Sequence, residues 1–126
     1  NRPSREQHEA ALALRAAMTA QMTDWFARTG AAALLFPATM VPPPPIGAED
    51  EVTIGGARVP LAAAVARNMA LGSCTGFPSL VVPAGLTGGG LPVGLEVLGL
   101  GGSDRALLAL GLALAPALGR IPAPKL

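Results

Sequence analysis

Few side chains in this 126-residue sequence could do chemistry, and their number and spacing rule out most of it. His8 is the only histidine and lies among charged residues in the first turns of a helical segment. No serine–histidine–aspartate set builds around it, so it reads as a surface histidine. Cys74 is the only cysteine, which excludes an internal disulfide. One histidine and one cysteine also exclude a His/Cys metal cluster. Gly72-Ser73-Cys74-Thr75-Gly76 sets a hydroxyl and a thiol between two glycines. It is not a G-x-S-x-G nucleophile elbow, because the serine follows glycine directly. Activating Cys74 would need a neighbouring cation, and the local sequence offers only Arg67, across a helical end. A close-packed turn accounts better for the pentapeptide. Gly85, Gly88, Gly89 and Gly90 could cradle a phosphate, but no Gly-Lys-Ser/Thr follows and the next segment reads as a strand. Glu49-Asp50-Glu51 lacks further ligands at cation-binding spacing and reads as a solvated loop. Lysine is the telling scarcity: Lys125, next to the C-terminus, is the only one. A mechanism that needs a buried lysine base must find it elsewhere.

The elements that position these residues are organised around Asn68–Leu98. Two apolar runs, Ser79–Val82 and Val93–Leu98, are fenced by proline and glycine and joined by a glycine-rich turn. Upstream, Ser4 and Gln7 have capping-box spacing. Leu14, Met18, Met22, Trp25 and Phe26 follow as one apolar helical stripe, and Gly30 suits a left-handed C-terminal cap. A helix is expected from about Arg5 to Arg28. Ala32–Phe36 shows no alternation and reads as a strand buried on both faces. The four prolines at 42–45 enforce an extended chain. They are either a docking peptide or a stiff surface connector, and their place between two elements favours the connector. Val52–Val59 reads as a hairpin turning at Gly55-Gly56. Pro60 opens a helix to about Ala70. Ser103-Asp104 is expected to cap a last helix with Leu107, Leu108, Gly111 and Leu112 facing inward, Leu114 and Leu118 nearby, and Pro116 kinking or ending it. Ile121–Leu126 reads as an extended tail.

The chain is long enough for one domain with a modest core. It is 51% hydrophobic and only 13% charged, against a usual charged share of about 25%. So little polar surface implies packing against something else or membership of a larger core. A net charge of +1 and only four aromatics, Trp25, Phe26, Phe36 and Phe77, argue against nucleic acid as partner. Ala106–Leu118 is the most apolar run, at 13 residues containing Gly111 and Pro116. A membrane span needs roughly 20. The start at Asn1, without a leader pattern, gives the expectation of a front truncation. Helix, strand, loop, helix, strand, strand, helix is an α/β order. Three main strands are few for so apolar a chain, so an edge portion of a wider sheet is expected.

Several of these residues carry a family resemblance. Leu35-Phe36-Pro37-Ala38-Thr39, Arg67-Asn68, Gly72-Ser73, Gly76-Phe77-Pro78, Val82–Thr87, Gly90–Leu95 and Ser103–Leu108 resemble the C-terminal portion of amidase-signature hydrolases. The Arg-Asn pair and the Pro-Pro-Pro-Ile-Gly loop most resemble the arylacetamide-type members. The resemblance covers nearly the whole chain, and the Pro-Ala-Gly…Gly-Leu-Pro-Val-Gly-Leu combination is its most specific part. It implies the C-terminal part of an α/β/α sandwich, with a mixed sheet flanked by helices, forming one incomplete domain over 1–126.

The family's activity, so implied, is hydrolysis of a carboxylic amide to acid and ammonia, with no cofactor or metal; the single cysteine fits a reducing compartment, and a cytoplasmic setting is expected. A serine nucleophile, a bridging serine and a lysine base carry it, with a backbone oxyanion hole. No position here matches those residues, so no catalytic residue transfers and the chain alone is expected to be inactive. Family members often have Gln where Glu96 stands, and the arylacetamide-like group often has Pro near Leu71. What transfers is the substrate pocket: Thr39 and Met40 after a strand end, and Arg67, Asn68, Ser73 and Cys74 between a helix and a strand. For Arg67 and Asn68 a helix C-terminal ion pair or cap is an equal alternative. The implied partners are the upstream half of the same amidase, or a second copy, and a small-molecule amide. The rival reading is a non-catalytic scaffold or a subunit of an amidotransferase-type complex.

Overall fold

In the computed structural model, which describes residues 2–48, 50–119 and 121, the chain opens with helix α1 (Arg5–Thr29). Its capping box is complete. The Gln7 amide donates to Ser4 Oγ at 3.1 Å, and the Ser4 amide donates to Gln7 Oε1 at 2.8 Å. Two helix-end donors are thereby satisfied reciprocally. Gly30 closes the helix at φ 64°, a conformation glycine adopts without a Cβ clash. Next come β1 (Leu34–Pro37), the hairpin strands β2 (Glu51–Ile54) and β3 (Ala57–Pro60), and α2 (Leu61–Thr75). Strands β4 (Ser79–Leu86) and β5 (Pro92–Leu98) and helix α3 (Asp104–Leu118) complete the order.

The main sheet has the order β1-β5-β4, and β2 and β3 form a separate ribbon. Every described pairing is antiparallel. Side-chain alternation along the central strand β5 divides the core in two. Leu98 faces α1 and α2 and packs with Phe26, Phe77, Met22, Trp25 and Leu71. Val97 and Leu95 face the other way and pack with Val82 and, from α3, Leu107 and Leu110. Helices thus cover both faces of the sheet, as in an α/β/α sandwich. Among the described residues β1 and β4 are both edges, each with one unpaired side.

Several elements differ from the sequence expectation, each for an identifiable reason. Helix α2 runs to Thr75, past Ala70, through the glycine that reads as a break. A Cβ on Gly72 would sit 3.2 Å from Leu98 Cδ1. The glycine is in the helix because α2 lies that close to the sheet, a packing demand that overrides its low helix propensity. Thr75 Oγ1 donates to the Leu71 carbonyl at 2.7 Å, and Gly76 at φ 73° ends the helix. Strand β4 continues past Val82 to Leu86. Pro83 is tolerated because β4 is an edge, and a bulge between Pro83 and Gly85 absorbs the irregularity.

Strand β1 is not buried on both faces, since Leu35 is 48% exposed on the α3 side, where α3 lies over β4 and β5. In α1, Leu14 lies outside the buried stripe, which begins at Met18. In α3, Leu107 and Gly111 are buried but Leu108 and Leu112 are exposed. The inward stripe runs from Leu107 through Leu110 to Leu114 and Leu118, the last two near the core as expected, along a single line of contact with the sheet. Ser103 makes no side-chain cap. Its Oγ is buried without a partner, and only its carbonyl enters the helix, accepting from the Leu107 amide. Pro116 lies within α3, which ends two residues later. Glu49 of the acidic run and 122–126 of the tail, including Lys125, lie outside the described residues.

Candidate functional site

The C-terminal end of β1 is where the chain leaves the sheet, so its loop can face a ligand. The Ala38 amide still donates to the Gly94 carbonyl, at 2.9 Å. The chain then turns away, and Thr39 Oγ1 donates to the Val41 carbonyl, also at 2.9 Å. Asn68 on α2 fixes the helix to this end: its Nδ2 donates to the Pro37 carbonyl at 2.7 Å. That bond joins residues 31 apart and satisfies a carbonyl at the last position of a strand. Asn68 is therefore a tertiary clamp in the middle of α2 and not a helix C-terminal cap.

Two clefts flank this point. One, of about 310 Å³, lies between α2 and the β2–β3 ribbon and is lined by Met40, Ile54, Val59, Ala63, Ala64 and Arg67. It exists because α2 presents alanines to the ribbon. The ribbon turns its apolar face, including Ile54 and Val59, toward them. Its other face holds Glu51 and Arg58, which form an ion pair. The second cleft, of about 220 Å³, lies between the Thr39–Pro43 stretch and the β4–β5 turn, with Thr87, Pro92 and Val93 on its far side. Pro42 and Pro43 wall it, which gives the proline run a place between two elements. Met40 borders both clefts.

Of the six pocket residues expected from sequence, four gather at the end of β1: Thr39, Met40, Arg67 and Asn68. Ser73 and Cys74 line neither cleft. Both are exposed on the last turn and a half of α2, and Cys74 is a free thiol. At about 1.5 Å rise per residue they lie roughly 9–11 Å beyond Arg67 along the helix. The close packing expected of this pentapeptide belongs to Gly72 and Thr75, not to Cys74. Ile54, Val59, Ala63 and Ala64 are cleft residues that motif reading missed. The alternation Val52, Ile54 along β2 and the alanine run of α2 were the signals available for them.

The arrangement can bind but offers no reactive pair. Among the described residues no serine or cysteine side chain is hydrogen-bonded to a histidine or carboxylate. Ser4 caps α1, the Ser103 hydroxyl is unpartnered, and His8 is exposed on the first turns of α1. No group of three metal-ligating side chains occurs among them either. No helix of the described chain is long and apolar enough to cross a membrane.

Comparison with known proteins places the chain in one family. Residues 1–108 match the Amidase family. The indoleacetamide hydrolase of Agrobacterium vitis is 42% identical over 86 residues, 68% of this chain and 18% of that protein. The mandelamide hydrolase of Pseudomonas putida is 46% identical over 59 residues, 46% of this chain and 12% of that protein. A crystal structure of an amidase superposes with a TM-score of 0.84 at 34% identity, covering 93% of this chain and 26% of that one. The chain thus spans about a fifth of the length of the curated relative it matches over 86 residues.

Proposed function

The chain belongs to the amidase family, and from that premise we propose that it is the C-terminal part of an amidase that hydrolyses an arylacetamide-like amide to acid and ammonia. In this reading a serine supplied by the rest of the enzyme attacks the amide carbonyl. A lysine there relays the proton to the departing ammonia, and water then releases the acid from the acyl-enzyme. This chain completes the sheet and forms one wall of the substrate pocket, through Thr39, Met40, Arg67 and Asn68. A cytoplasmic setting belongs to the same proposal, supported by the free, exposed Cys74.

The carrying observation is the structural match: almost all of this chain overlays on only 26% of an amidase, at 34% identity. Names of the relatives, indoleacetamide and mandelamide hydrolase, support the aryl character of the substrate. The test is ammonia release from indoleacetamide and phenylacetamide. Residues 1–126 alone should release none. Co-expression with the segment encoded upstream, if that carries a lysine and a Gly-Ser-rich run, should restore turnover. Hydrolysis by the isolated chain that survives rigorous purification would place the nucleophile here and end the proposal. An upstream segment without those residues would favour the scaffold reading instead.

A further inference from the structure

We propose that the cleft between α2 and the β2–β3 ribbon binds a small apolar acid, with its carboxylate held by the Arg67 guanidinium. Five of the six lining side chains, Met40, Ile54, Val59, Ala63 and Ala64, are apolar, and about 310 Å³ is room for an aromatic ring and a short chain. Arg67 is the one charged group at the wall. It makes no ion pair with any described carboxylate, whereas Arg58 on the neighbouring strand is held by Glu51 on the ribbon's opposite face. The described lining contains no acidic side chain that would repel an anion. A guanidinium is always charged and presents a planar fork that fits a carboxylate with two parallel hydrogen bonds. A neutral amide offers it one carbonyl oxygen and gives up the charge.

The binding claim stands on the cleft itself. Its meaning for catalysis rests on the amidase reading: the acid is either a second carboxylate on the substrate or the acid that hydrolysis releases. Three probes separate these cases: phenylacetate, its neutral isostere phenylacetamide, and the monoamide of phenylsuccinic acid. Each is titrated into the 126-residue chain, with the Met40 methyl signal reporting the site. Both acids should bind at least about tenfold more tightly than phenylacetamide. Whichever acid binds tighter names the source. Arg67→Gln should erase the preference, and Ala63→Leu should weaken all three by filling the cleft. Both positions are exposed, so the fold should survive each change. Equal affinity for acid and amide, a preference that persists in Arg67→Gln, no binding of any probe, or shifts that spare Met40 would each overturn the proposal. The readout is binding, not turnover, so a failed ammonia assay leaves this result standing, and the reverse holds too.

Discussion

The two sides of α2 use their small residues in opposite ways. Toward the sheet, small residues allow backbones and side chains to meet. A Cβ on Gly72 would lie 3.2 Å from Leu98 Cδ1, and within the sheet itself one on Gly94 would lie 2.8 Å from Val81 Cγ1 and 3.3 Å from Ala38 Cβ. Toward the β2–β3 ribbon, Ala63 and Ala64 leave a cleft open, and a Cβ on the turn glycines Gly55 or Gly56 would meet nothing within 4 Å. The same economy of side-chain volume thus makes a tight joint on one side and a vacancy on the other. The difference lies in what faces the helix. A three-stranded sheet presents Leu98, a side chain large enough to fill the joint, whereas the two-stranded ribbon meets α2 across a cleft lined by Ile54 and Val59.

That contrast can be broken most severely at Leu98, which is fully buried. Leu98→Ala should lower unfolding stability by about 2–5 kcal/mol, because α2 cannot move closer to fill the void. Urea denaturation of the two proteins measures it, and a loss below about 1 kcal/mol would show that the joint is loosely packed. Overfilling probes a different close approach, within the sheet itself. Gly94→Val forces Val81 and the fixed Cβ of Ala38 apart, at an expected cost of about 1–3 kcal/mol. Thermal unfolding unchanged by this variant would mean that β1, β5 and β4 can separate without penalty. The smallest effect is expected where the two regions meet. Asn68→Ala removes the 2.7 Å bond to the Pro37 carbonyl, costing about 0.5–1.5 kcal/mol. Its more telling signature is faster amide exchange at Ala38 and Thr39, since the loop after β1 would lose its link to α2. Exchange that stays as slow as in the unaltered chain would remove Asn68 as the clamp.

The capping box of Ser4 and Gln7, the Gly30 cap and the Gly55-Gly56 turn were legible in the sequence, whereas the Gly76 cap was not, because α2 runs past Ala70 to Thr75. The legible ones each depend on interactions within a few residues, and φ-permissive glycine or a hydroxyl at fixed spacing states them directly. The family resemblance was legible for a different reason, since Val82–Thr87 and Gly90–Leu95 form a contiguous pattern. The gathering of Thr39, Met40, Arg67 and Asn68 could be expected only through that resemblance, and nothing local specifies the Asn68–Pro37 bond across 31 positions.

What the sequence settled by itself is the order of local elements with their caps and turns, because residue type and short spacing suffice for them. What the tertiary structure decided is how those elements are read. Gly72 ends no helix, and its small size lets α2 pack tightly against Leu98. Ser103 caps nothing with its hydroxyl, which is buried without a partner. Leu108 and Leu112 stay outside, since α3 touches the sheet along one line only. The cleft beside Arg67 belongs to this second class, for a vacancy is defined by what two distant segments fail to fill, and neither segment carries that information alone.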